Sequence, residues 1–129
     1  MVEELTYSLK KLNDAFDKLK EGAGEASGEL ERDGVIQRFE FTFELMWKSL
    51  KLFLREKGVD TKTPKDSLQE AFRVGWIKDE AGFLQMLEDR NTTSHIYKKK
   101  LADEIFERIK GRYLGLIEQV IETLREQIR

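Results

Sequence analysis

From about Val35 to Lys57, Ile36, Phe39, Phe43, Met46, Trp47, Leu50, Phe53 and Leu54 recur three and four residues apart. That spacing places apolar side chains on one face of an α-helix. Phe41 and Leu45 fall beside the stripe and widen it, so the segment reads as a central helix that touches more than one neighbour. Its aromatic series reads as core rather than as a platform for stacked bases. Glu44 and Lys48 stand four apart in the favourable order for an ion pair. Gly58 ends the helix, and Asp33 or the preceding loop caps its start.

The other segments supply partners for this helix. Leu5, Leu9, Leu12, Phe16 and Leu19 mark a first helix over about Val2 to Leu19, with a narrow apolar stripe. Glu21 to Gly34 carries Gly22, Gly24 and Gly28 among small and acidic residues and reads as a loop or frayed helix end. These glycines lack the spacing and strand context of a phosphate loop. Thr63-Pro64-Lys65-Asp66 has the chemistry of a helix start: Thr63 caps, Pro64 sits at the first helical position, and Asp66 can close a capping box. A short helix then runs through Leu68, Ala71 and Phe72 to Gly75, and Trp76 and Ile77 plug onto the bundle. Asp79 caps a fourth helix with Phe83, Leu84, Met86 and Leu87 on its apolar side, ending at Ser94 or earlier. The last helix spans about Lys99 to Gln127 on a stripe from Ala102 through Ile105, Phe106, Ile109, Tyr113, Leu116, Ile117, Val120 and Leu124. Gly111 and Gly115, four apart, either admit a close neighbour or face solvent. No strand-like alternation and a single proline point to an all-α fold: one domain over 1–129, an antiparallel up-and-down four-helix bundle with one additional short helix.

Composition narrows the function. The 129 residues hold 40% hydrophobic and 37% charged side chains, enough core for one folded unit with well-solvated outer faces. With 23 basic and 25 acidic residues, net charge −2, no global basic field draws the chain to nucleic acid or membrane. The absence of cysteine excludes disulfides, zinc–thiolate sites and cysteine nucleophiles. No leader and no membrane-length apolar run is seen, so a soluble, cytoplasmic protein without membrane contact is expected.

Chemistry concentrates in Arg90-Asn91-Thr92-Thr93-Ser94-His95-Ile96-Tyr97, which holds the only histidine. The bland account makes His95 a helix-end cap and pairs Arg90 with Glu88, Asp89 or a carboxylate on another helix. The functional account notes that Asn91 and His95 share a face if the helix continues, with Arg90 one position round. Histidine moves protons near neutral pH, and arginine offers phosphate oxygens a charged fork. Together they form a minimal kit for cleaving RNA through its own 2'-hydroxyl, without metal. A two-fold homodimer would join two such sets, one as base and one as acid. Lys98, Lys99 and Lys100 just beyond could line a phosphate path or be a solvated face. Scattered carboxylates and a lone histidine make no metal signature, and no cofactor is expected.

One family carries the combination of Gln37-Arg38-Phe39-Glu40-Phe41-Thr42-Phe43-Glu44-Leu45-Met46-Trp47-Lys48, Thr63-Pro64, Ala71-Phe72-Arg73-Val74-Gly75 and Leu87-Glu88-Asp89-Arg90-Asn91-Thr92-Thr93-Ser94-His95-Ile96-Tyr97. From about Val35 to the last helix the chain resembles the nucleotidyltransferase substrate-binding subunits of the HEPN superfamily. The resemblance implies an up-and-down bundle of four or five helices that dimerises and binds a minimal nucleotidyltransferase encoded beside it. Relatives in toxin–antitoxin pairs are metal-independent endoribonucleases. Arg90 and His95 match their Arg-x4-His motif, with Asn91 as the usual polar neighbour. Tyr97 matches the tyrosine that accepts AMP from the nucleotidyltransferase and so silences the toxin. An AMP there would repel phosphate and compete for Arg90. Relatives commonly place an acidic helix-starting residue next, where this chain has Lys98, which puts the local cap in question. Three functions compete: an RNA-cleaving toxin held by its nucleotidyltransferase antitoxin, a non-catalytic subunit presenting a nucleotide or other substrate, and an adaptor using Trp76 and the aromatic helix as an interface.

Overall fold

The computed structural model describes residues 2–93 and 98–129. It contains α1 (Val2–Glu25), α2 (Glu29–Glu56), α3 (Pro64–Arg73), α4 (Glu80–Thr93), α5 (Lys99–Arg108), a π-helical turn (Ile109–Tyr113) and α6 (Leu114–Gln127). No strand occurs among the described residues. The last three elements follow one another without a break, so the chain forms a helical bundle with α3 as its short member, as the apolar periodicities require.

The core is one cluster centred on α2. Phe39, Phe43, Met46 and Leu50 of α2 are fully buried among Leu12 and Leu19 of α1, Leu68 of α3, Met86 of α4 and Ile109, Tyr113, Ile117 and Leu124 of the last run. The Phe39 and Tyr113 rings stack with centroids 5.6 Å apart. Ile77 is buried and Trp76 half-buried against the same cluster, matching their expected role as plugs. Phe41 does not join the core. The residue is 62% exposed, and only Leu45 of the widening pair packs partway in.

The glycine-rich stretch is shorter as a break than its composition suggests. Helix α1 continues through Gly22 and Gly24 to Glu25, and α2 begins at Glu29. Asp33 is not the cap. The Glu31 carboxylate accepts hydrogen bonds from the Ser27 hydroxyl (2.8 Å), the Gly28 N–H (3.0 Å) and the Ser27 N–H (3.1 Å). Those bonds, that of the Ser27 hydroxyl first, hold its pKa below the usual carboxylate range. An acidic side chain of the first turn thus satisfies the N–H groups of the cap residue Gly28 and of Ser27 before it, and the turn needs few residues.

Thr63 caps α3 as its sequence implies, accepting the Asp66 N–H at 3.1 Å. Asp66 reaches one residue further back than a capping box requires, to the Lys62 N–H at 3.1 Å. Gly58 (φ +83°) and Gly75 (φ +85°) close α2 and α3 in the left-handed region that favours glycine. Gly111 and Gly115 are exposed, and among the described residues a Cβ at either meets nothing within 4 Å. They face solvent.

Candidate functional site

Arg90 and Asn91 lie at the end of α4, and the helix is tied there to two neighbouring elements. Asp79 accepts the Gly82 N–H at 3.0 Å and so caps the helix start. It also receives Arg112 Nη2 at 2.7 Å from the π-turn. Arg112 foremost, then the Gly82 N–H, lower the Asp79 pKa. At the other end, the Thr92 and Thr93 hydroxyls donate to the carbonyls of Glu88 (2.9 Å) and Arg90 (2.7 Å). Both threonine hydroxyls are thus turned back onto the α4 backbone.

Arg90 points toward α2. Its Nη2 donates to Glu44 Oε1 at 2.5 Å, and its Nη1 donates to Asn91 Oδ1 at 3.3 Å. Of the pairings open from sequence, the carboxylate on another helix is realised. The same Glu44 oxygen accepts the Trp47 indole N–H at 2.9 Å, and Lys48 Nζ stands 3.7 Å from the other oxygen. The Arg90 side chain remains 31% exposed, so the guanidinium is oriented without being sealed off. Asn91 is exposed.

Asp89 points the other way and is buried, with 7% of its surface accessible. Arg108 grips it with both arms of its fork, Nε to Oδ2 at 2.7 Å and Nη2 to Oδ1 at 2.8 Å. The Tyr113 hydroxyl donates to Oδ2 at 2.5 Å. Burial, then the bond to Asp89, push the Tyr113 pKa well above that of a free phenol, while the Asp89 bond raises that of Arg108. The phenol is therefore a neutral donor and the guanidinium a fixed cation at neutral pH.

Sequence reasoning passed over this trio. Arg108 and Tyr113 stand five apart, about 140° apart around a regular α-helix. The intervening π-turn, closed by the Leu114 N–H to the Ile109 carbonyl, brings both to one carboxylate. Helical periodicity marks Tyr113 as core and carries no signal for a π-turn. The one available hint is the acidic residue directly before Arg90.

His95 and Tyr97 lie outside the described residues, so the pairing of Arg90 with His95 and the place of Tyr97 carry no geometry. Lys98, Lys99 and Lys100 are all exposed at the start of α5. Lys98 occupies the cap position without a side-chain cap bond, as expected of a lysine where an acidic residue would serve. Lys99 Nζ lies 3.9 Å from Asp103, so one of the three cations is partly neutralised within its own helix. No group of three or more potential metal ligands occurs among the described residues, and no described helix is long and apolar enough to cross a membrane.

A second concave surface lies between α1 and α2. Phe41, Leu45 and Ala15 form an apolar floor, and Lys11, Lys18 and Arg38 stand on its rim with Asp14 in a groove of about 380 Å³. Arg38 Nη1 donates to the Lys18 carbonyl at 2.8 Å, which holds the guanidinium across the top of α1.

A family model described as nucleotidyltransferase substrate binding protein like matches residues 2–126. A curated relative from Haemophilus influenzae, named probable ribonuclease HepT, is 36% identical over 101 residues, covering 73% of this chain and 67% of the relative. A crystal structure from Thermus thermophilus shares 42% identity at TM-score 0.83, over 88% of this chain and 98% of its own. A Haemophilus influenzae structure, described as the fold of a substrate binding domain of a nucleotidyltransferase, shares 26% identity at TM-score 0.67 over 97% and 99% of the two chains.

Proposed function

We propose that this chain, which belongs to the nucleotidyltransferase substrate-binding family of the HEPN superfamily, acts as the helical partner subunit that presents a substrate to a minimal nucleotidyltransferase. The observation that carries this reading is the family match across residues 2–126. The groove between α1 and α2 supports it. An exposed aromatic ring beside three cations offers a nucleotide both a stacking face and phosphate partners. Titrating ATP or AMP into the purified protein and following the Phe41 ring by NMR tests the presentation role. Saturable shifts that vanish in Lys18→Glu are expected. Shifts no larger than those from sodium phosphate would overturn it.

A second reading is favoured by the accessible, pre-oriented Arg90 and by the relative named a probable ribonuclease. In that reading the protein is a metal-independent endoribonuclease of a toxin–antitoxin-like pair. His95 takes the 2'-hydroxyl proton, Arg90 stabilises charge on the phosphorane, Asn91 orients the scissile group, and Lys98, Lys99 and Lys100 follow the RNA backbone. A homodimer supplies the second set, and AMP on Tyr97 silences it. Glu44 makes Arg90 a shared cation: RNA phosphate must compete with a carboxylate already in place. RNA cleavage in EDTA by the wild-type protein, lost in R90A and H95A, establishes this reading. A folded wild-type dimer that leaves RNA intact removes it and leaves the substrate-binding role.

A further inference from the structure

A π-turn interrupts the last helical run at Ile109–Tyr113, where side chains of that run meet α4. Isolated π-turns inside α-helices cost hydrogen-bond geometry and concentrate at functional positions. Here the turn has a definite consequence: Arg108 before it and Tyr113 at its end both bond one buried carboxylate, Asp89. Asp89 adjoins Arg90. The two side chains anchor the same helical turn in two directions, Asp89 to the last helix and Arg90 to Glu44 on α2.

A buried ion pair of this kind is weak as a source of stability, because desolvating both charges offsets their attraction. Its strength is directional. A bidentate fork and a phenol fix the carboxylate plane, and with it the rotation of the last turn of α4. The Tyr113 ring is itself fixed by its stack on Phe39.

We infer that Arg108 and Tyr113 are positioning residues, which act through the Asp89 carboxylate to set the orientation of the Arg90 guanidinium. The inference rests on the reading of the α4 end as the working site, but it concerns an orientation that can be observed with or without activity. Neither residue touches RNA or nucleotide in this account.

The test uses the full chain with Tyr113→Phe, which keeps the ring and its stack, and Arg108→Lys, which keeps the charge and loses the fork. Leu12→Ala, a core variant elsewhere in the bundle, serves as the stability control. The Arg90 Nε–H signal, assigned by its loss in R90K, is recorded for each by NMR. Both positioning variants are expected to shift and broaden that signal, while L12A leaves it in place. Where the wild type cleaves RNA, kcat should fall about tenfold or more in both variants with KM within about twofold, as expected when a group is mis-aimed rather than removed. An unchanged Arg90 signal in Y113F and R108K overturns the inference, as does an equal shift in L12A. If Y113F does not fold, R108K alone decides between these outcomes. Absence of RNA cleavage by the wild type would sink the ribonuclease reading and leave the Arg90 signal to judge the positioning role.

Discussion

Asp89 and Arg90 are neighbours in sequence whose side chains leave α4 toward different helices, and this divergence organises the site. Removing the buried acid in Asp89→Ala leaves Arg108 without its carboxylate and Tyr113 without its acceptor. We expect a loss of about 3 kcal/mol, read by chemical denaturation at neutral pH. Tyr113 adds an alkaline signature. Its pKa is raised in the folded state, so the unfolded chain releases the phenolic proton first. The corresponding stability is complete below pH of about 10 and declines as pH rises beyond it. Denaturation curves from pH 8 to 11.5 should fall less steeply for Y113F than for wild type; parallel curves would contradict the assignment. Asp79 behaves oppositely. Arg112 and the Gly82 N–H lower its folded pKa, so its contribution is present above pH of about 4 and is lost as pH falls through the lower folded value. Asp79→Asn should flatten the acid limb of the stability profile between pH 2 and 5.

At the scale of elements, two glycines in helical segments should respond in opposite ways to alanine. A Cβ on Gly115 meets open space, so Gly115→Ala should stabilise by about 0.5–1 kcal/mol through helix propensity alone. A Cβ on Gly82 would stand 2.5 Å from the Asp79 carboxylate and 2.9 Å from Arg112 Nη2. Gly82→Ala should therefore displace the α4 cap and lower the melting temperature despite the same propensity gain; a rise in both variants would show that the cap is dispensable. The apolar stripes, the Thr63-Pro64 start and the positions of Gly58 and Gly75 were legible from sequence because each depends on local rules. The turn between α1 and α2 was not: Glu31 caps from inside the next helix, and nothing in the Gly22–Gly28 composition shows that the flanking helices absorb most of it. Glu44 was legible as the partner of Lys48 but not of Arg90, because that pairing depends on how α2 and α4 pack. The π-turn was not legible at all, since the apolar period of the last segment passes through it unbroken.

At the scale of the molecule, α2 joins the core to the candidate site. Phe39 packs on Tyr113, and Glu44, little more than one turn further along, holds Arg90. Loss of the Phe39 ring, the direct stacking partner of Tyr113, should thus reach the site: Phe39→Ala should cost about 3–5 kcal/mol in denaturation and loosen the Tyr113 ring that bonds Asp89. The groove against α1 presents Phe41 and Leu45 of α2 with Lys11, Lys18 and Arg38 near them. As the proposed partner subunit of a nucleotidyltransferase, the bundle should bind such an enzyme. The direct test is sedimentation velocity of the purified chain mixed with a minimal nucleotidyltransferase from the same genome. A co-sedimenting complex is expected at about 1 μM of each protein, the range of a binding free energy near −8 kcal/mol. Separate boundaries for two folded proteins at about 100 μM would contradict it.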